Sequence, residues 1–317
     1  MPFTKASIFT FGEAVAVFAA QDELPVSRAR DYQRWTGGAE LNVAVGVSRL
    51  GLSARWFSRL GADGLGEAVL ADARSEGVIT DSVIMDDSAN TGLIIRNSSS
   101  QAPIDVTYWR KNSAACNMSA NDVDKDSVLA SDWVHITGIT PAISDSARAA
   151  TEKVKDIVLG ANPRHSLDLN LRKKLWSGEA AAKTLRPLVE GVEVLIGGIE
   201  EYQTVFETRD FVQAAFKAGA KNLVITNGGA NVHIYSEGFS KELETRKVKL
   251  VDPVGAGDAL VAGLLAGLLS GLDLEAATRQ GIACGAWAVT GIGDWGGLPF
   301  GKNGIVNSHL NAGEVLR

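Results

Sequence analysis

The chain has 317 residues, 45% hydrophobic and 21% charged, with a formal net charge of −6. That length suits one large α/β domain, with or without a small appendage, and the acidic balance argues against general affinity for nucleic acid or anionic membrane. No stretch approaches the roughly 20 uncharged apolar residues of a membrane span, the first residues lack a signal-peptide layout, and Cys116 and Cys284 are too few and too distant for a disulfide framework or a cysteine metal site.

Residues 8–12 read as a strand and 14–19 as a second, with no convincing helix between Glu13 and Trp35. Residues 40–50 read as a helix ended by Gly51, 55–60 as a strand, and 66–76 as a helix stopped by Gly77. Two strands, 93–97 and 104–110, flank a polar loop at 98–101. Further strands at 133–137, 166–170, 192–196, 222–226 and 247–251 alternate with helices, one of them near 144–159. Such alternation implies a parallel sheet covered on both faces, whose ligands bind at the carboxyl ends of the strands. The stretches 13–36 and 91–111 fit no βαβ unit and read as a small β lid.

The most informative segment is Asp252-Pro253-Val254-Gly255-Ala256-Gly257-Asp258, running into the apolar residues 261–269. Two glycines and an alanine let backbone N–H groups converge at the positive end of a helix, which is a place for a phosphate. Asp258 beside an anion site makes sense if its carboxylate takes a proton from a hydroxyl that attacks the phosphate. The alternative is an ordinary loop whose aspartate caps a helix.

Tyr108 and Arg110 share one face of an alternating strand, which suits a polar ligand with an anionic group; a solvated strand is the alternative. Asp168 and Asn170 share a face if their strand persists that far, and Arg172 follows at its carboxyl end. A guanidinium matches a carboxylate two-pronged, although Arg172 in a basic loop also reads as a surface residue. Gly37 and Gly38 let a ligand approach the backbone closely, and Asn42, one turn into the next helix, can offer an amide to a sugar hydroxyl. The alternative there is a glycine-rich connector. Residues 296–303 imitate a P-loop, but they carry Asn303 where Ser or Thr should stand, contain Pro299, and follow no hydrophobic strand.

The run Gly37-Gly38-Ala39-Glu40-Leu41-Asn42-Val43-Ala44, with Gly51 and Gly61 after it, and the run from Asp252 to Asp258 together resemble the two signatures of the ribokinase-like, PfkB-type carbohydrate kinases. The resemblance extends from about residue 8 to residue 299. Within the family the chain is most similar to 2-keto-3-deoxygluconate kinases, through Glu40, Tyr108-Trp109-Arg110 with Ser113-Ala114-Ala115, Asp168-x-Asn170-x-Arg172-x-x-Leu175-Trp176, and Val251-Asp252-Pro253-Val254.

The resemblance implies a single α/β domain over 1–317, a ribokinase-like Rossmann-type three-layer sandwich with a central mostly parallel sheet and a small β-sheet lid. It implies transfer of the ATP γ-phosphate to a primary hydroxyl of a sugar acid, 2-keto-3-deoxygluconate giving its 6-phosphate. A kinase of a neutral sugar, of fructokinase or ribokinase type, and a sugar-binding regulator without catalysis are the alternatives. Asp258 would be the base and the Gly255, Ala256 and Gly257 amides the anion hole. Gly37, Gly38, Asn42, Tyr108, Arg110, Asp168, Asn170 and Arg172 would face the substrate, and Thr226, Gly228, Gly255 and Gly257 the ATP. Mg²⁺ would accompany ATP near Glu201, with K⁺ near Asp252. Three departures stand out: Ile94 replaces a lid tyrosine, Gly198-Ile199-Glu200-Glu201 lacks the Asn of Asn-x-x-Glu, and Leu260 replaces a common Phe. A cytoplasmic homodimer or higher homo-oligomer, paired through the exposed edges of the lid strands, completes the expectation.

Overall fold

Strands buried on both faces must lie side by side inside a covered sheet, and six of the apolar segments do so. The computed structural model describes residues 6–301 apart from 23, 98–103 and 162, so the loop expected at 98–101 and the end of the P-loop imitation, Lys302 and Asn303, fall outside the described residues. Its first eight strands are β1 (Ala6–Phe11), β2 (Val15–Ala20), β3 (Tyr32–Gly37), β4 (Ala54–Phe57), β5 (Arg59–Gly61), β6 (Ile84–Asp86), β7 (Gly92–Arg96) and β8 (Val106–Trp109). The remaining six are β9 (Ser131–Thr137), β10 (Arg164–Asp168), β11 (Val194–Gly198), β12 (Leu223–Asn227), β13 (Asn231–Ser236) and β14 (Phe239–Glu244).

The main sheet has the order β14-β13-β12-β11-β10-β9-β1-β4. From β12 to β4 every pairing is parallel, and the antiparallel hairpin β13–β14 closes the far edge. Alternation along each strand divides the apolar side chains between two cores. Ile8, Trp56, Ile196 and Val224 join the helices Ala39–Arg49, Ala256–Leu269 and Leu274–Ala288 on one face. Phe9, Phe57, Leu195 and Leu223 join Asp145–Leu159, Gly178–Leu188 and Ile199–Phe206 on the other. The result is three layers. Helix Ala256–Leu269 is apolar nearly all round because it is buried from Ala259 to Gly267. It crosses Ala39–Arg49 so closely that a Cβ on Gly46 would stand 2.4 Å from the Ala262 Cβ. Among the described residues no helix is long and apolar enough to cross a membrane.

Strand β1 lies between β4 and β9, so the chain leaves it in opposite directions, and the crevice beyond its carboxyl end is a topological switch point. Over that crevice sits a second sheet of order β3-β2-β7-β8, antiparallel except for the parallel β2–β7 pair.

Three expectations need correction, and one strand went unread. Residues 247–251 form no strand: Val248, Leu250 and Val251 are largely exposed, and the Val251 and Asp252 N–H groups bond instead to the Val289 carbonyl. The hairpin β13–β14 already occupies that sheet edge. The strand expected at 55–60 breaks at Ser58 into β4 and β5, which enter different sheets. Strand β10 ends at Asp168, and Asn170 has φ +32°, so strand alternation does not align those two side chains. Strand β3, whose sequence Tyr-Gln-Arg-Trp-Thr-Gly lacks a regular apolar alternation, was not legible within 13–36.

Candidate active site

A helix of 14 residues starts at Ala256 with Gly255 as its N-cap. Gly255 has φ +80° and ψ −5°, and a Cβ there would lie 2.1 Å from the Asp294 carbonyl oxygen, so only glycine fits this turn. The helix's own bonding begins with Ala259 N–H donating to the Gly255 carbonyl at 2.9 Å. The preceding N–H groups therefore have no partner inside the helix, and they open onto a cavity of about 1010 Å³. Asp258 lies in the first turn, on the same wall.

Asn42, 2% exposed on helix Ala39–Arg49, donates from Nδ2 to Asp258 Oδ2 at 2.6 Å and to Asp294 Oδ2 at 2.9 Å. One amide thus bridges two carboxylates. Burial pushes the Asp258 carboxyl up to about 6, against the pull of Asn42 and Arg172 and with help from the negative charge of Glu40. Burial likewise pushes Asp294 up to about 6, and Asp258 adds repulsion. Glu40 is fully buried and accepts at Oε1 from the hydroxyls of Thr137 and Thr140, both at 2.5 Å. Burial raises its pKa despite those bonds.

Across the cavity, Tyr108 and Arg110 come from the second sheet, and Asp168, Asn170 and Arg172 from the end of β10. All five line the same space, as do Gly37, Gly38 and Asn42. The structure thus brings together the residues singled out for the substrate. Ile94 stands opposite Tyr108 in the sheet register and also lines the cavity. Arg110 is ion-paired with Glu13, whose side chain is 1% exposed; the other Glu13 oxygen accepts from the Ser113 hydroxyl at 2.6 Å. Burial holds Asp168 well above the usual carboxylate range, and the charges of Glu201 and Asp258 add to the rise.

Thr226 lines the cavity, whereas Gly228 lies just beyond it in the turn after β12. Glu201 also lines it, accepting the Leu171 N–H at Oε1 and the Gly198 N–H at Oε2, both at 2.6 Å. Among the described residues no group of three or more His, Cys, Asp and Glu side chains is arranged to hold a metal ion. The neighbouring carboxylates Asp168 and Glu201 nevertheless fit a hard cation that keeps most of its ligands as water and phosphate oxygens, since their mutual repulsion is what such a charge relieves. Asp252 is buried behind the turn and not on the cavity wall.

Sequence reasoning missed Asp294, Glu13 and Arg96, all of which line the cavity. Asp294 had a signal of sorts, as the lone carboxylate in Gly291-Ile292-Gly293-Asp294-Trp295-Gly296-Gly297. The other two carried none.

What this arrangement can do is accept a hydroxyl proton beside a phosphate site, and the relatives of the chain do chemistry of that kind. A 2-dehydro-3-deoxygluconokinase of Bacillus subtilis is 33% identical over 303 residues, 93% of each chain. A 2-dehydro-3-deoxygalactonokinase of Haloferax volcanii is 32% identical over 91% of this chain and 92% of its own length. The crystal structure of a 2-dehydro-3-deoxygluconokinase from Thermotoga maritima superposes with a TM-score of 0.85 at 27% identity, covering 95% of this chain and 98% of that one. Residues 5–299 match the pfkB family carbohydrate kinases, and the chain belongs to that family.

Proposed function

We propose that this carbohydrate kinase uses ATP to phosphorylate a keto-deoxy sugar acid, 2-keto-3-deoxygluconate to its 6-phosphate in particular. The observation that carries the reading is that Arg110 and Arg172 stand on the wall of the cavity that also holds Asp258 and the glycine turn. A neutral sugar needs no guanidinium, whereas a carboxylate is matched by one two-pronged. The relatives named above act on acids of this class.

The sugar carboxylate sits against Arg110 and Arg172, and the Gly37–Gly38 backbone, Asn42, Tyr108 and Asn170 receive its hydroxyl and keto oxygens. Its primary hydroxyl faces Asp258. The ATP γ-phosphoryl group lies over the Gly255, Ala256 and Gly257 amides, and the nucleotide runs out past Thr226 towards Gly228. Asp258 accepts the hydroxyl proton as the oxygen bonds to phosphorus and the bond to ADP breaks. A carboxyl near 6 is ionised at neutral pH and is a stronger base than a solvated aspartate. The helix end stabilises charge growing on the phosphoryl oxygens. Asp168 and Glu201 are the carboxylates that would face a Mg²⁺ bound with ATP, which would neutralise phosphate charge.

The segments 13–36 and 91–111 act as a lid that excludes water during transfer. Their edge strand β8 leaves Trp109 53% exposed, which suits pairing with a second copy in a cytoplasmic homodimer. A coupled ADP-release assay over sugar acids and neutral sugars tests the assignment. Arg172→Ala is expected to lower kcat/KM for the acid roughly 30- to 150-fold and to spare a neutral sugar. Equal losses refute the carboxylate role, and turnover of no sugar at all favours a non-catalytic regulator.

A further inference from the structure

Arg96 is the last residue of β7 and is only 3% exposed, an unusual place for a guanidinium. It reaches from the second sheet to Asp252, itself 4% exposed, and the two form a buried ion pair. The Asp252 carboxylate has further partners. Its Oδ2 also accepts the Gly293 N–H at 3.0 Å, and its Oδ1 accepts the Val254 N–H at 3.2 Å. One carboxylate therefore ties together three segments: β7, the loop entering the phosphate turn, and the stretch carrying Asp294. That last stretch packs directly under Gly255. The shape of the turn depends on Asp252 keeping these bonds, and a buried carboxylate keeps them only with a compensating positive charge.

The family resemblance implies a monovalent cation at Asp252, and the residues present do not fit one. K⁺ is held by several oxygens that replace its water, yet Asp252 Oδ2 already accepts from both the Arg96 guanidinium and the Gly293 N–H, and Oδ1 from the Val254 N–H, which leaves this carboxylate one lone pair. A cation would also lie beside the guanidinium, charge against like charge. We infer that the Arg96 guanidinium takes the place of a monovalent cation at Asp252, so that the phosphate turn is held without K⁺. Arg96 is then a positioning residue. It acts on the reaction through Asp252 and the turn, and the same pair joins the second sheet to that turn. The inference rests on the phosphoryl-transfer reading of the turn.

The test compares K⁺, Na⁺ and tetramethylammonium at equal ionic strength, on turnover and on the thermal midpoint of the full chain with a non-hydrolysable ATP analogue. The wild-type protein is expected to show the same rate and midpoint in all three. Arg96→Ala is expected to lose about tenfold in kcat. K⁺ or guanidinium ion should restore part of that loss and raise the midpoint of the variant, and tetramethylammonium should do neither. Arg96→Lys, which keeps a charge at the position, should need no added cation. Activation or stabilisation of the wild type by K⁺ overturns the inference, as does an Arg96→Ala protein of unchanged kcat or one that no cation restores. The midpoint arm needs no acceptor sugar, so it remains readable if the substrate assignment fails. The wild-type comparison remains decisive if Arg96→Ala does not fold.

Discussion

Asp258→Asn should make the protein more stable at pH 8 while abolishing most turnover. The wild-type carboxyl has a folded-state pKa of about 6 against an ordinary 3.8, chiefly through burial. Below the lower value it is protonated in folded and unfolded chains alike, and burial carries no charge penalty. As pH rises from 3.8 through 6 the unfolded chain ionises first, and the folded state loses stability. A gap of roughly two units corresponds to about 3 kcal/mol. The open cavity screens part of this, leaving about 2 kcal/mol, or about 4 °C in Tm for a chain of this size. An asparagine oxygen can still accept from Asn42, and neutralising the position also relieves Asp294, which feels the charge of Asp258. Thermal melts of both proteins from pH 4 to 8 check this. The curves should nearly meet at pH 4 and separate up to about pH 7, with Asp258→Asn higher. A variant less stable than wild type at pH 8, or a difference that ignores pH, refutes the argument that burial sets this carboxyl.

Two further predictions concern the same wall. Asn42→Ala removes a donor that pulls both carboxyls down; the acid limb of kcat/KM should move up by roughly one pH unit, and an unmoved or lowered limb in parallel profiles contradicts the bridging role. Gly255→Ala places a methyl 2.1 Å from the Asp294 carbonyl oxygen at φ +80°, so kcat should fall about 100-fold or more with a stability loss of roughly 1–3 kcal/mol, and near-normal turnover would show that the turn does not shape the phosphate site.

How much of this was legible in the sequence follows from the range of the interactions. The phosphate turn is local, because its small residues, its aspartate and its apolar helix are consecutive from Gly255 to Leu269. The parallel sheet was legible because apolar segments alternate with helices, and Tyr108, Arg110 and Arg172 because each lies within a recognisable strand, ends one or follows one. The contacts that complete the site are not local. Asn42 meets Asp258 across 216 residues, and Arg96 meets Asp252 across 156. No spacing rule reaches that far. Periodicity also misled at 247–251, where an alternating apolar pattern joins no sheet and leaves Val248, Leu250 and Val251 exposed.

The contact between Gly46 and Ala262 has a consequence for how acceptor choice can change. Because the Gly46 backbone packs directly against the Ala262 methyl there, the helix that carries Asn42 and the helix that carries Asp258 are tied together at the crossing, and the proton-accepting pair stays in register whatever the acceptor. Ile94 and Tyr108 belong to the other sheet, where side chains can change size without disturbing that crossing. New acceptors are therefore reached by resculpting one wall while the base keeps its position: replacing Ile94 with a hydroxyl-bearing residue alters which sugar fits and leaves the chemistry where it was.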